Sequence, residues 1–197
     1  MATETLRPNA AGDETAIASQ YPDADAHWDK VDEVVADDAT TYIYTIGTSY
    51  ERDLFNLPAH SVGSGAIARI TVFFRCFGNA ISGVLKAKAS IKSGLTVADG
   101  DEEIISEISW TNYSHEWTLN PEDSNAWEWA DIDALQIGLQ ILAEDGVAAC
   151  TQVYVEVDYT LTSTHTGTIG VTDIGSVAKF CGKPITDIAV IGGVSNV

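Results

Sequence analysis

The feature that most constrains this chain is a strict two-residue alternation of apolar and polar side chains. Val153, Val155, Val157, Tyr159 and Leu161 alternate with Gln152, Tyr154, Glu156, Asp158 and Thr160. Successive side chains on a strand point to opposite faces, so such a segment buries one face and wets the other. Leu135, Ile137, Leu139 and Ile141 repeat the pattern against Gln136, Gly138 and Gln140. So do Leu85, Ala87, Ala89 and Ile91 against Lys86, Lys88, Ser90 and Lys92. Residues 66–77 read as a longer strand, with Ile70, Val72, Phe74 and Cys76 on one side. Shorter strands are expected over 42–46, 52–57, 104–110 and 114–119. Gly63-Ser64-Gly65, Gly78-Asn79, Asp99-Gly100-Asp101, Asn120-Pro121 and Asp145-Gly146 punctuate them as turns.

Helical signal is slight: one or two turns over 27–36, and another over 131–135 with Asp131 capping its start. Eight or more half-buried strands predict an all-β fold, an antiparallel β-sandwich of two sheets packed face to face. Its length and long connections favour a jelly-roll-like topology over an immunoglobulin-type sandwich, for which ~100 residues suffice.

Charge narrows the partners. The chain has 29 acidic and 10 basic residues, a net charge of −19 and a pI near 4.2. Such a surface repels phosphates and anionic lipid, so no nucleic-acid or membrane partner is expected. No apolar stretch reaches membrane-spanning length, and residues 1–9 are polar, with Glu4 where a leader would be basic. The acidity fits either a salt-rich habitat, where screening removes self-repulsion, or an ordinary acidic exterior.

Beyond Thr162 only Asp173, Lys179, Lys183 and Asp187 are charged, and they cancel. The run Ser163-Thr164-His165-Thr166-Gly167 reads as a linker. The expected division is a sandwich domain over 1–162 and a tail over 163–197.

No catalytic motif emerges. His27, His60, His115 and His165 are scattered without ligand spacing. G-x-S-x-G, P-loop and strand-preceded G-x-G-x-x-G patterns are missing from the sequence. Asp23, Asp25, Asp29, Asp32, Asp37 and Asp38 form one acidic cluster, and Asp99, Asp101, Glu102 and Glu103 another. Both read as solvated faces. No cofactor or metal is expected, with a structural calcium between strands left open. Trp110, Tyr113, Trp117, Trp127 and Trp129 lie close together. They form either a sugar-stacking platform or core filling; core filling is favoured because Trp110 and Trp117 keep phase with Ile108 and Leu119, and Trp127 and Trp129 share parity just before Ile132 and Leu135. Cys76 and Cys150 pair only if their strands are neighbours. Buried thiols are the preferred reading, with Cys181 unpaired in the tail.

Several segments carry a family likeness: Leu6-Arg7-Pro8-Asn9-Ala10-Ala11-Gly12-Asp13, Asp29-Lys30-Val31-Asp32-Glu33, Asp53-Leu54-Phe55-Asn56-Leu57 and Tyr113-Ser114. So do Trp117-Thr118-Leu119-Asn120-Pro121, the run from Trp127 to Gly138, and the strand from Thr151 to Tyr159. Together they resemble β-sandwich structural proteins of tailed viruses, of head-decoration, turret or fibre type. With the acidic composition, a virus of a halophilic archaeon is the implied source. The resemblance implies a fold and a virion-surface location, and it brings no catalytic residue.

The tail contains an internal repeat, Val171-Thr172-Asp173-Ile174 recurring as Ile185-Thr186-Asp187-Ile188. Apolar residues step by three through Val171, Ile174, Val177 and Phe180, and again through Ile185, Ile188, Ile191 and Val194. So short a segment builds no core of its own, so these residues are the expected assembly surface. The expected function is therefore non-enzymatic: a virion structural protein forming a homo-oligomer, a trimer first and a pentamer second, on a capsid-protein partner. The alternative is a carbohydrate-binding or receptor-binding module of an appendage or secreted protein, with a host-surface glycan as ligand.

Overall fold

The computed structural model describes residues 1–62 and 64–161, and the backbone of 179–180, 183–184, 190–191 and 194–195. The chain divides into two units, Met1–Thr162 and Ser163–Val197. The first is an all-β, jelly-roll-like sandwich whose strands pair antiparallel throughout.

Its strands in chain order are β1 (Ala2–Leu6), β2 (Ala10–Thr15), β3 (Ser19–Tyr21), β4 (Tyr42–Thr45), β5 (Glu51–Asn56) and β6 (Ala66–Ala80). They continue with β7 (Leu85–Ser93), β8 (Thr96–Asp99), β9 (Glu103–Ile104), β10 (Thr111–Trp117), β11 (Gln136–Ala143) and β12 (Gly146–Thr160). One six-stranded sheet runs β10-β6-β12-β4-β3, with β1 also on β12; the other runs β2-β5-β11-β7-β8, with β9 also on β7.

The alternating segments become the central strands. Ile70, Val72, Phe74 and Cys76 of β6 meet Val153, Val155 and Val157 of β12 and Ile137, Leu139 and Ile141 of β11 in one buried core. These aliphatic and aromatic groups are withdrawn from water at about 25 cal/mol per Å² of apolar surface, the main force holding the sheets together. The turn at Asp145, with φ 55°, joins β11 to β12. Thr151 is an extra residue at a β-bulge in β12, between Cys150 and Gln152.

Three sequence expectations need correction. Residues 104–110 are not a strand beyond β9, because the Ser106 hydroxyl accepts the N–H groups of Ile108 and Ser109 and turns the chain out of the ladder. Helix over 27–36 shrinks to a 3-10 turn, His27–Lys30. Beyond it the Val31 carbonyl accepts from the Val153 N–H, and that of Glu33 from Arg7 and Gln152, so a helical ladder has no free acceptors. The second helix is Trp129–Asp133; Asp131 sits inside it and accepts the Glu128 N–H at 2.8 Å. The sequence reading names no strand at β1, β2, β3 or β8, which are too short or too polar to show a clear period.

In the second unit, Lys179–Phe180 pairs with Lys183–Pro184, and Val190–Ile191 with Val194–Ser195. The linker 163–167, Gly63, Val171, Ile174, Val177, Ile185 and Ile188 lie outside the described residues, as do the side chains of Phe180, Ile191 and Val194.

Candidate ligand-binding face

The same alternation that fills the core aims a second set of side chains outward from the β10-β6-β12-β4-β3 sheet. On β6 these are Thr71, Phe73, Arg75, Phe77 and Asn79, in phase opposite to the core row. Registry places Tyr154 of β12 opposite Phe73, Tyr44 of β4 opposite Ala149, and Tyr21 of β3 opposite Tyr42. Pairing brings the rings together. Tyr21 stacks on Tyr42 at 5.3 Å between centroids, and Tyr42 meets Tyr44 at 5.7 Å and Trp110 at 6.1 Å. Trp110 meets Phe77 at 5.5 Å. A separate pair, Phe73 and Tyr154, stacks at 4.9 Å and 12°, with the Arg7 guanidinium 4.7 Å above the Tyr154 ring.

Trp110, Tyr42 and Phe77 line a shallow, mostly apolar cleft of about 230 Å³, closed by Ala39, Asn79, Val147 and Ala149. It shares Asn79 and Val147 with an adjoining hollow lined by Ile46 and Ile81. Ile46 and Ile81 are 67% and 87% exposed, so the apolar track continues beyond the rings. Polar groups stand at its side. Arg75 donates through Nε and Nη2 to the Asp38 carboxylate at 2.6 and 3.0 Å, and through Nη1 to Asn112 Oδ1 at 3.0 Å. That fork fixes the guanidinium plane, and its hydrogen bond to Asp38 pushes its pKa further up. Partial burial and the neighbouring Tyr21 and Tyr44 raise the Tyr42 phenol, which stays neutral. Flat rings beside fixed donors and acceptors suit a ligand with an apolar face and a hydroxylated edge.

The bulge ties β12 to the 37–41 loop that borders this face. The Thr151 hydroxyl donates toward the Thr41 carbonyl at 2.8 Å and Asp37 Oδ1 at 3.1 Å. Thr41 Oγ1 lies 2.6 Å from Glu33 Oε1 and 3.0 Å from Asp37 Oδ1. Burial, then the charges of Asp37 and Asp32, hold the Glu33 carboxyl above its ordinary pKa despite the Thr41 hydrogen bond.

The aromatic residues of the sequence reading separate. Trp127 is buried, its indole N–H donating to the Trp117 carbonyl. Tyr113, Trp117 and Trp129 pack against the core. Trp110 does not: Ile108, which set its expected phase, is 95% exposed in the loop before β10, and Leu119 is also exposed. Phe73, Phe77, Tyr42 and Tyr154, which sequence reasoning passed over, form the face with Trp110. Their signal was present in β6 as two phenylalanines on the phase opposite to the core.

The acidic clusters disperse into pairs. Asp25 and Asp29 flank the buried Lys30, Asp38 holds Arg75, Asp99 holds Arg52, and Glu102 meets Lys86 and Tyr50. Among the described residues, no three His, Cys, Asp or Glu side chains gather in a group able to hold a metal ion. His27 meets the fully buried Asp53 at 2.5 Å, and Asp53 also accepts the Ile17 N–H, bracing the 3-10 turn against β5. His60 meets Asp133 at 2.7 Å and stacks on Trp129. Cys76 and Cys150 face each other across β6 and β12, both buried.

No protein-family model matches the sequence, nor does any curated protein sequence. Among solved structures the chain is similar to the CBM22-1 xylan-binding domain of Paenibacillus barcinonensis Xyn10C, with TM-score 0.44, 8% identity, and coverage of 80% of this chain and 95% of that one. It is similar to the C-terminal CBM6 of LamC, a laminarinase of Zobellia galactanivorans, with TM-score 0.41, 12% identity, and coverage of 80% and 100%. For the CBM22-1 and GH10 modules of Clostridium thermocellum Xyn10B the TM-score is 0.43 at 10% identity, over 64% of this chain but only 23% of that chain. These neighbours include β-sandwich carbohydrate-binding modules; they show no viral or salt-loving origin.

Proposed function

We propose that this protein is a non-catalytic carbohydrate-binding module whose ligand, a neutral glycan chain, lies along the aromatic outer face. The observation that carries this reading is the continuous ring row Tyr21–Tyr42–Trp110–Phe77 over an open cleft. Sugar rings present flat C–H faces that stack on such aromatics, and their hydroxyls meet polar groups at the edge. Arg75, Asp38, Asn112 and Asn79 supply that edge. The hollow beside Ile46 and Ile81 lengthens the track past one ring, which favours a chain over a single sugar. Net charge of −19 disfavours uronate and sulfated glycans.

The expectation of a homo-oligomer on a capsid-protein partner draws on Val171, Ile174 and their repeats. Affinity electrophoresis against a panel of soluble neutral polysaccharides tests the glycan reading. At least one polysaccharide should retard the protein, and Trp110→Ala should weaken that binding at least ~10-fold, the equivalent of one lost stacking contact of about 1.4 kcal/mol. Retardation by none, or retardation unaffected by Trp110→Ala, would overturn it.

A further inference from the structure

We infer that Cys76 and Cys150 are a disulfide-forming pair that ties β6 to β12 directly beneath the aromatic cleft. The inference stands apart from the glycan reading and rests on registry. Cys150 is paired with Cys76 in the antiparallel ladder, and both side chains are fully buried in the core between the sheets. Residues directly opposite in such a ladder have Cα atoms about 4.5 to 5.5 Å apart, inside the usual disulfide range of roughly 4.4 to 6.8 Å. Both thiols are free in the structure, and Cys150 Sγ donates to the Gln152 carbonyl oxygen at 3.4 Å. Sequence neighbours tie the pair to the cleft: Phe77 follows Cys76, Ala149 precedes Cys150, and both line it.

The chemistry balances with a small organic disulfide as oxidant. One protein thiolate attacks the small disulfide, forming a mixed disulfide and expelling one small thiolate. The second protein thiolate then attacks the mixed disulfide, forming the Cys76–Cys150 bond and expelling the other. The two protein thiols lose two electrons and two protons; the oxidant becomes two small thiols. Burial pushes the Cys76 thiol up in the folded chain, so the thiolate is scarce there and the bond is made while the strands assemble. Once closed, the bridge spans strands far apart in sequence and restricts the unfolded chain.

The test uses the full chain with Cys181→Ser, leaving two cysteines. It is refolded in parallel from denaturant in a mixture of oxidised and reduced glutathione, and in excess reductant, then denatured and alkylated. The oxidised preparation should take up no alkyl group, be lighter by two hydrogens, and yield a Cys76–Cys150 cross-link in a non-reducing peptide map. Its Tm should exceed that of the reduced preparation by about 10 °C. With Cys76→Ala the two buffers should give one Tm; if that variant does not fold, the alkylation count of the two-cysteine chain still decides. Two alkylated thiols after oxidative refolding, a retained glutathione adduct, or equal Tm values in both buffers would overturn the inference.

Discussion

The outer face of the β10-β6-β12-β4-β3 sheet carries Tyr42, Phe73, Phe77, Trp110 and Tyr154, whereas the outer face of its partner sheet carries Arg52, Lys86, Lys88 and Lys92. Four of the chain's ten basic residues therefore sit on one face of a molecule with 29 acids. Each is partnered there. Arg52 reaches Asp99, Glu14 and Ser90, Lys92 reaches Asp13, Lys86 reaches Glu102, and Lys88 covers the Tyr50 ring at 4.8 Å. That surface is complete in water. The aromatic face differs: Arg7 covers Tyr154, while the half-buried rings of Tyr42, Phe77 and Trp110 border an open, apolar cleft, and such a stretch marks a binding surface. At its far end it turns polar, where Arg69 spans Glu116 and Asp158, so the unpartnered stretch is bounded by the Trp110 cleft and the Phe73–Tyr154 pair.

The comparison can be broken most severely at Gly138, in the centre of the ion-paired sheet. A Cβ there meets the Asp53 carbonyl oxygen of β5 far inside contact distance, with Leu54 Cα close behind. Gly138→Ala should destabilise the protein by about 3 kcal/mol, the upper range for overpacking, seen as a lowered urea midpoint. A smaller effect is expected at Arg52. Arg52→Ala should cost about 1 kcal/mol at low salt and less at molar salt, with glycan binding unchanged, because its partners are partly exposed. An equal loss at both salt levels would mean that packing, and not charge, supports that face.

The smallest expected effects are in pH dependence. Asp158 is held below the usual carboxylate range by hydrogen bonds from Thr3 and then Arg69. It contributes stability that is full above the unfolded value and lost as pH falls through the lowered folded value. Glu33 has the opposite sign. Its folded pKa is raised by burial, so its contribution falls as pH rises through the window between the unfolded and folded values. Glu33→Gln should therefore raise Tm slightly at neutral pH, and the difference should vanish below about pH 4, where both states are protonated. Asp158→Asn should lower Tm at neutral pH and matter little in acid.

How much of this was legible in the sequence follows from the range of each interaction. The period of β6, β7, β11 and β12 is local and predicts their core rows, except at Leu161, which lies past the end of β12 and is exposed. The ring row is not local: Tyr42 reaches Trp110 only because β4 joins β12 beside β6. The phase of Ile108 points Trp110 into the core, but the Ser106 turn interrupts that phase. Phe73 and Phe77 stand on the phase of β6 opposite to the core row and are the readable trace of the face. The Cys76–Cys150 facing pair needed the bulge at Thr151 to be placed before its register could be known.

The most direct test of the account is a backbone and indole NMR titration with a soluble neutral oligosaccharide that the protein retains. The account predicts shifts concentrated at the Trp110 indole, Tyr42, Phe77 and Asn79, with Lys86, Lys88 and Lys92 unmoved. Shifts centred on the lysine-bearing face, with the Trp110 signal unchanged at saturation, would contradict it.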